Sequence, residues 1–315
     1  MAPKRPATIR AGIAAATERP LAQLAENLPK VGGPEPFDPI HDARVALRRL
    51  AAILRAFAPY LPAARVARLK REIRWLRREL GPARDLDVFI HETVPELQRT
   101  FRHEAGLAAL LDTAAAKRRR AAAKLAKVAA SPRARSLPAA LRAAFAPNGA
   151  APRRARKDGN AGLPATSDAR FDAFVAAVLR RRWKKIRKVR ELSKLPKPLL
   201  HALRIRLRNF RYLCDGFAPA LPERRYAMFR RAMTALQDHL GALNDASVAP
   251  QLAAALAREA AATDGRAAAK DMIARASGLF AGWGAARREV FHAMLDEPWH
   301  RMVKRGDRMF AALKS

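Results

Sequence analysis

The sequence predicts an all-α protein, and three observations carry that prediction. Alanine, leucine and arginine, all strong helix formers, dominate the composition, while aromatic residues make up only 6%. Apolar residues recur at three- and four-residue steps along most of the 315 positions, the spacing of one buried helix face. No stretch reads as a run of alternating strands, and the 22 prolines and 15 glycines are scattered as punctuation.

Taken in chain order, Ile9, Ile13, Leu21, Leu24 and Leu28 mark a first helix, expected to be interrupted near Pro20. Ala43, Leu47, Leu50, Leu54, Phe57 and Leu61 form the next stripe. Pro59 and Pro62 end that helix and start another, whose stripe is Val66, Leu69, Ile73, Leu76 and Leu80; Gly81-Pro82 stops it. A helix from about Arg84 to Arg99 and a basic one from about His103 to Ala130 follow. Residues 147–167 are rich in proline, glycine, serine and threonine and read as a linker. Beyond it, "RFDAFVAAVLRRRWKKIRKVREL" is amphipathic, and the segment from Gly278 to Phe310 holds two further helices.

The chain also repeats itself. Residues 41–88 and 201–248 align without a gap, with 17 identities in 48 positions. Seven of these are not composition-favoured Ala, Leu or Arg: His41/His201, Phe57/Phe217, Pro59/Pro219, Pro62/Pro222, Gly81/Gly241, Asp85/Asp245 and Val88/Val248. The glycine is expected to stop a helix in both copies. A tandem duplication follows, with a first helical repeat over about 7–146 and a second over about 168–313. The expected architecture is two similar four-helix units side by side.

Charge is the second strong signal: 62 Lys plus Arg oppose 28 Asp plus Glu, a formal net charge of +34. Such an excess repels itself unless an anion shares it. At about 100° per residue, His41, Arg44 and Arg48 share one stripe, opposite Leu47, Leu50, Leu54 and Phe57. The second copy places His201, Arg204, Arg208 and Arg211 likewise. The following helix adds Arg71, Arg74 and Arg78, and its counterpart Arg231. The helix before His201 contributes Arg181, Lys184, Lys185 and Lys188. Arg182 is singled out because it falls in register with Phe171, Val175, Val178 and Val189, so it must snorkel or meet an anion. Successive arginines on a helix make a ladder of forked donors, and two facing ladders make a channel for a long, flexible polyanion.

His41 and His201 either donate to such an anion or cap their own helices. A phospho-accepting role is disfavoured, since Ala202 replaces Asp42 and no nucleotide-binding element accompanies either copy. No HExxH, P-loop, GxSxG or dense carboxylate cluster occurs, so catalytic, metal and cofactor sites are all expected to be absent. Asp85 and Asp245 read as arginine partners or helix-start caps. The single cysteine, Cys214, excludes an internal disulfide. No apolar run reaches membrane-span length and the N-terminal segment lacks a signal-peptide core, so a soluble cytoplasmic protein is expected.

The paired motifs "HDARVALRRLAAILRAF" with "LGPARDLDVF", and "HALRIRLRNFRYLCDGF" with "LGALNDASV", resemble those of the CHAD family, the conserved histidine α-helical domain. The resemblance spans about residues 7–313, one domain. It implies two four-helix bundles related by a pseudo-twofold axis around a basic central channel that binds inorganic polyphosphate. His41, Arg44, Arg48, Arg49, His201, Arg204, Arg208 and Arg211 would lie on the binding surface. Asn209 stands where the first motif has Arg49, so the halves do not bind identically. The triphosphate tunnel domain that often precedes a CHAD domain, with its ExExK signature, is missing, so no hydrolase activity is implied. The expectation is non-enzymatic polyphosphate binding, with recruitment to polyphosphate granules. Nonspecific nucleic-acid binding is the alternative: the run Lys117, Arg118, Arg119, Arg120, Lys124, Lys127, Arg133 and Arg135 contains no acid. Against it, Trp75, Trp183, Trp283 and Trp299 read as core rather than as stacking platforms.

Overall fold

In the computed structural model, residues 6–33, 37–146, 169–263 and 267–313 are described, and the expected linker at 147–167 lies outside them. Every regular element among them is helical, apart from an isolated bridge between Thr8 and Arg170. α1 (Ile9–Asn27) starts where the Thr8 hydroxyl accepts from the Ala11 amide at 3.2 Å. The interruption expected at Pro20 does not occur. The proline ring is buried with Leu21 and Leu24, and that burial offsets the single hydrogen bond it removes.

α2 (Phe37–Phe57) ends at a 3₁₀ turn over Ala58–Tyr60, and α3 (Ala63–Glu79) begins after Pro62. α4 (Gly81–Val88), a π turn over Phe89–Thr93 and α5 (Val94–Thr100) form one nearly continuous rod where a single helix is predicted. α6 (Ala105–Ala130) matches the expected basic helix. α7 (Pro132–Phe145) is an element that the periodicity reading did not isolate, and Ser131 caps it by accepting from the Ala134 amide. The second half comprises α8 (Phe171–Ile186), α9 (Lys197–Gly216), α10 (Glu223–Thr263), α11 (Ala267–Ala293) and α12 (Asp296–Ala311).

The two glycines at matched positions behave differently. In the first half, Pro82 has no amide to donate to Arg78, and the helix breaks at Leu80. In the second half residue 242 is alanine, so the expected stop at Gly241 fails and α10 runs for 41 residues, about 60 Å. It even passes Pro250. The Ala246 carbonyl that Pro250 leaves without an amide accepts from Arg288 Nη1 at 2.9 Å instead. Gly284 lets α11 approach there, since a Cβ on it would meet the Ala246 oxygen at 2.6 Å.

That long helix joins two apolar cores, and the cores do not divide by repeat. The larger draws on α1–α3, α7–α9, the first part of α10 and α12. The smaller draws on α4–α6, the rest of α10 and α11. Aromatic side chains knit the larger core together. Phe57 stacks on Phe174 at 4.8 Å and meets Phe217 edge-on at 5.7 Å, so the repeats touch through equivalent residues. α2 and α9 pack against each other with their leucines in the larger core, and the arginine stripes of both helices meet at the crossing.

Candidate functional site

Because the leucine faces of α2 and α9 are buried, their histidine and arginine stripes are left at the margin of the core, half in solvent. His41 and His201 each sit at the fifth position of their helix, a full turn inside, so neither caps it. Arg44, Arg48, Arg204 and Arg208 are all partly buried, and Arg77 of α3 joins them. Arg48 is the hub: its charge is felt by His41, Arg44, Arg77, Arg204 and Arg208. Burial, reinforced by Arg48, lowers the Arg208 guanidinium to about 10. Burial also lowers Arg44 to about 10, although Asp85 pulls the other way. His41 is lowered by burial and then by Arg84 and Arg48.

Few acceptors answer this concentration of donors. Arg44 Nη1 reaches the Arg77 carbonyl in the last turn of α3 at 3.3 Å. Arg48 Nε and Arg208 Nε are buried with no hydrogen-bond partner, and each such donor is costly to leave unmet. At one end of the cluster, Asp85 acts through its charge on Arg44, and Asp245 on Arg204. Burial raises the pKa of both acids. Together with Thr93 and Asn244 they border a cavity of about 180 Å³.

The structure brings together only part of the predicted site. Arg49 and Arg211 are engaged elsewhere: Arg49 donates to Gln23 at 3.2 Å, and Arg211 to Gln237 at 2.7 Å, each with its guanidinium near the Tyr212 ring. His201 is exposed and borders a small pocket with Lys197 and Arg204. Arg71, Arg74, Arg78 and Arg231 are exposed, and the α3 arginine that meets the cluster is Arg77 instead. On α8, Arg181 and Lys185 border a cavity of about 300 Å³ against α2 and α9, whereas Lys184, and Lys188 in the turn just past the helix end, open onto a separate hollow beside α12. The 300 Å³ cavity also contains Arg55, Arg182 and Arg206, which sequence reasoning left outside the site. Signals for three of these four added arginines, Arg55, Arg77 and Arg182, were present. Arg55 lies eleven residues, three full turns, after Arg44 on the same stripe. Arg77, like Arg182, intrudes on an apolar stripe, about 40° from Ile73.

Five of the eight basic side chains in the run 117–135 meet acids from other helices. Lys117 and Arg120 both reach Glu259, at 2.6 and 2.7 Å. Arg118 is buried against Asp87 at 2.5 Å, Lys124 pairs with Glu79, and Arg133 pairs with Glu72. Trp183 and Trp299 are buried, and Trp75 and Trp283 each carry an arginine over the ring, Arg133 and Arg287. Among the described residues no group of three His, Cys, Asp or Glu side chains converges as a metal site, and no helix is long and apolar enough to cross a membrane.

Known structures share this architecture. The CHAD domain crystal structure from the plant Ricinus communis superposes with a TM-score of 0.73 at 23% identity, over 96% of this chain and 94% of its own. PptA from Streptomyces chartreusis superposes with a TM-score of 0.62 at 18% identity, over 93% of this chain and 99% of its own. Both likenesses concern the all-α fold. No relative was found among curated proteins. The family model of the CHAD domain matches residues 15–254, well over half of the chain and including both histidine motifs, and this protein belongs to the CHAD domain family.

Proposed function

We propose that the protein binds inorganic polyphosphate, without chemical turnover, at the crossing of α2 and α9. The observation that carries this reading is the unmatched arginine cluster. Arg48 and Arg208 keep buried donors without acceptors, while the basic run at 117–135 is largely ion-paired. Holding five guanidinium groups together without an anion disfavours the free fold, and a chain of phosphates supplies both the missing charge and the missing acceptors. Arg44, Arg48, Arg77, Arg204 and Arg208 are the principal contacts, with His41 and His201 at the rim. The setting proposed is the cytoplasm, at polyphosphate granules. Nucleic acid is the weaker reading, because the acid-free run has its acids supplied by other helices and the tryptophans offer no open face for bases.

The test is calorimetric titration at physiological salt with long-chain polyphosphate and with single-stranded DNA of equal charge. Polyphosphate is expected to bind at least tenfold more tightly. Equal affinities that vanish together as salt rises would mean that net charge alone acts, and would overturn the assignment. Incubation with polyphosphate and magnesium is expected to release no phosphate, and steady release would overturn the non-enzymatic part.

A further inference from the structure

The duplicated motif does not produce a symmetric site. Arg55 continues the α2 stripe three turns beyond Arg44, about 16 Å along the helix. The matching residue of α9, eleven positions after Arg204, is Asp215. Arg77 of α3 is matched, 160 positions on, by Gln237 of α10. Both second-half replacements are already engaged. Asp215 accepts from the Tyr226 hydroxyl at 2.6 Å and from Arg230 Nε at 2.9 Å, and Gln237 accepts from Arg211 Nε. On that side the stripe ends in an acid paired with Arg230 and in an uncharged glutamine, although Asp215 Oδ2 and Gln237 Nε2 are buried without hydrogen-bond partners.

On the other side the positive charge continues. Arg55 and Arg182 border the 300 Å³ cavity between α2, α8 and α9, together with Lys185, Arg206 and Asn209. Arg206 stands where the first repeat has the buried Ala46. Arg182 is partly buried, and its Nη1 is buried without a hydrogen-bond partner. Burial, Arg181 and Arg55 lower Arg182 to about 10. Beyond Arg44 and Arg204, the opposite end of the cluster carries the acids Asp85 and Asp245 beside Arg84, with His41 and His201 at its rim.

We infer that a polyphosphate chain leaves the α2–α9 crossing in one direction only, into the cavity between α2, α8 and α9, where Arg55, Arg182 and Arg206 hold its outer phosphates. This rests on the polyphosphate reading above and adds a second subsite and a direction to it. Asp85 and Asp245 close one end by repulsion, and Asp215 closes the pseudo-equivalent exit on α9. The ligand's length then decides what it touches: a short phosphate oligomer is held at the crossing alone, and a long one also fills the cavity.

The test compares long-chain polyphosphate with tripolyphosphate on the full chain. Arg55 and Arg206 are exposed, so the double variant R55Q/R206Q keeps its packing. It is expected to bind long-chain polyphosphate at least tenfold more weakly and tripolyphosphate within twofold of the unmodified protein. A charge-matched control, R224Q/R258Q on the exposed surface of α10, is expected to change long-chain affinity by less than threefold. Unchanged long-chain affinity in R55Q/R206Q, alongside clear weakening in R48Q/R208Q, would overturn the one-sided path while leaving polyphosphate binding intact. Equal losses in R55Q/R206Q and the control would overturn it as well, since net charge would then suffice. An unmodified protein that does not bind polyphosphate would instead sink the underlying reading.

Discussion

Replacing Arg208 with glutamine should make the free protein more stable and its polyphosphate complex weaker. In the free protein, burial and the charges of Arg48, Arg204 and Arg77 hold this guanidinium at about 10. Against the ordinary arginine value, and at about 1.4 kcal/mol per pKa unit, this shift disfavours the charged form by about 3.5 kcal/mol at most. Solvent on the open side screens this to about 1–2 kcal/mol. Glutamine removes the charge and the unmatched Nε but loses some packing of the aliphatic stem, so the net gain should be about 1 kcal/mol, or roughly 2 °C in Tm. In the complex, the same change deletes a charge-assisted hydrogen bond worth about 1.5–3 kcal/mol, a loss of roughly 10- to 100-fold in affinity. The dependence of log Kd on log salt should flatten by about 0.7, the contribution of one phosphate contact on a single strand. Melting curves with and without polyphosphate, and titrations at two salt concentrations, read all three quantities. A free variant that melts lower, or one that binds with unchanged affinity, would refute the claim that unmatched charge is held in the fold for a ligand.

Other consequences follow from the same geometry. Burial, Arg84 and Arg48 lower the pKa of His41, with Asp42 and Glu92 opposing, so below its ordinary ~6.5 the unfolded chain takes up a proton that the folded one refuses. Free-protein stability should therefore fall as pH drops from about 6.5 through the lowered value, while polyphosphate, by restoring the proton, should bind about three- to tenfold more tightly at pH 5.5 than at 7.5. His41→Asn should flatten both profiles, in melts and titrations across that range. Gly241 lies inside α10 with open space around it, so Gly241→Ala should stabilise by about 0.5–1 kcal/mol in denaturant unfolding. Gly306→Ala should destabilise by about 1–3 kcal/mol, because its Cβ would meet the Trp183 ring at 2.4 Å. Asp87→Ala strands the buried Arg118 beside the smaller core and should cost about 3–5 kcal/mol, much of it recovered when Arg118 is also made apolar.

Local pattern alone determined the all-α class, most helix spans, the duplication and the histidine–arginine stripes of α2 and α9. Each of these depends on residues three, four or seven positions apart, or on one fixed offset of 160, and such regularities survive in a single sequence. The acid-free run at 117–135 shows where that reading stops. Its cations look free along the chain, yet Glu259 neutralises Lys117 from 142 positions away and Asp87 buries Arg118 from 31. Conversely, Arg49 and Arg211 match the motif spacing but are held by Gln23 and Gln237 from neighbouring helices. Arg77 and Arg55 needed the packing of α3, α2 and α8 before they could join the site. The break at Leu80 and the continuity through Gly241 turned on a single residue, proline against alanine, after a shared glycine. Sequence pattern places a charge on a helix face. Whether that charge is matched depends on which distant helix packs beside it, and only the tertiary structure decides that.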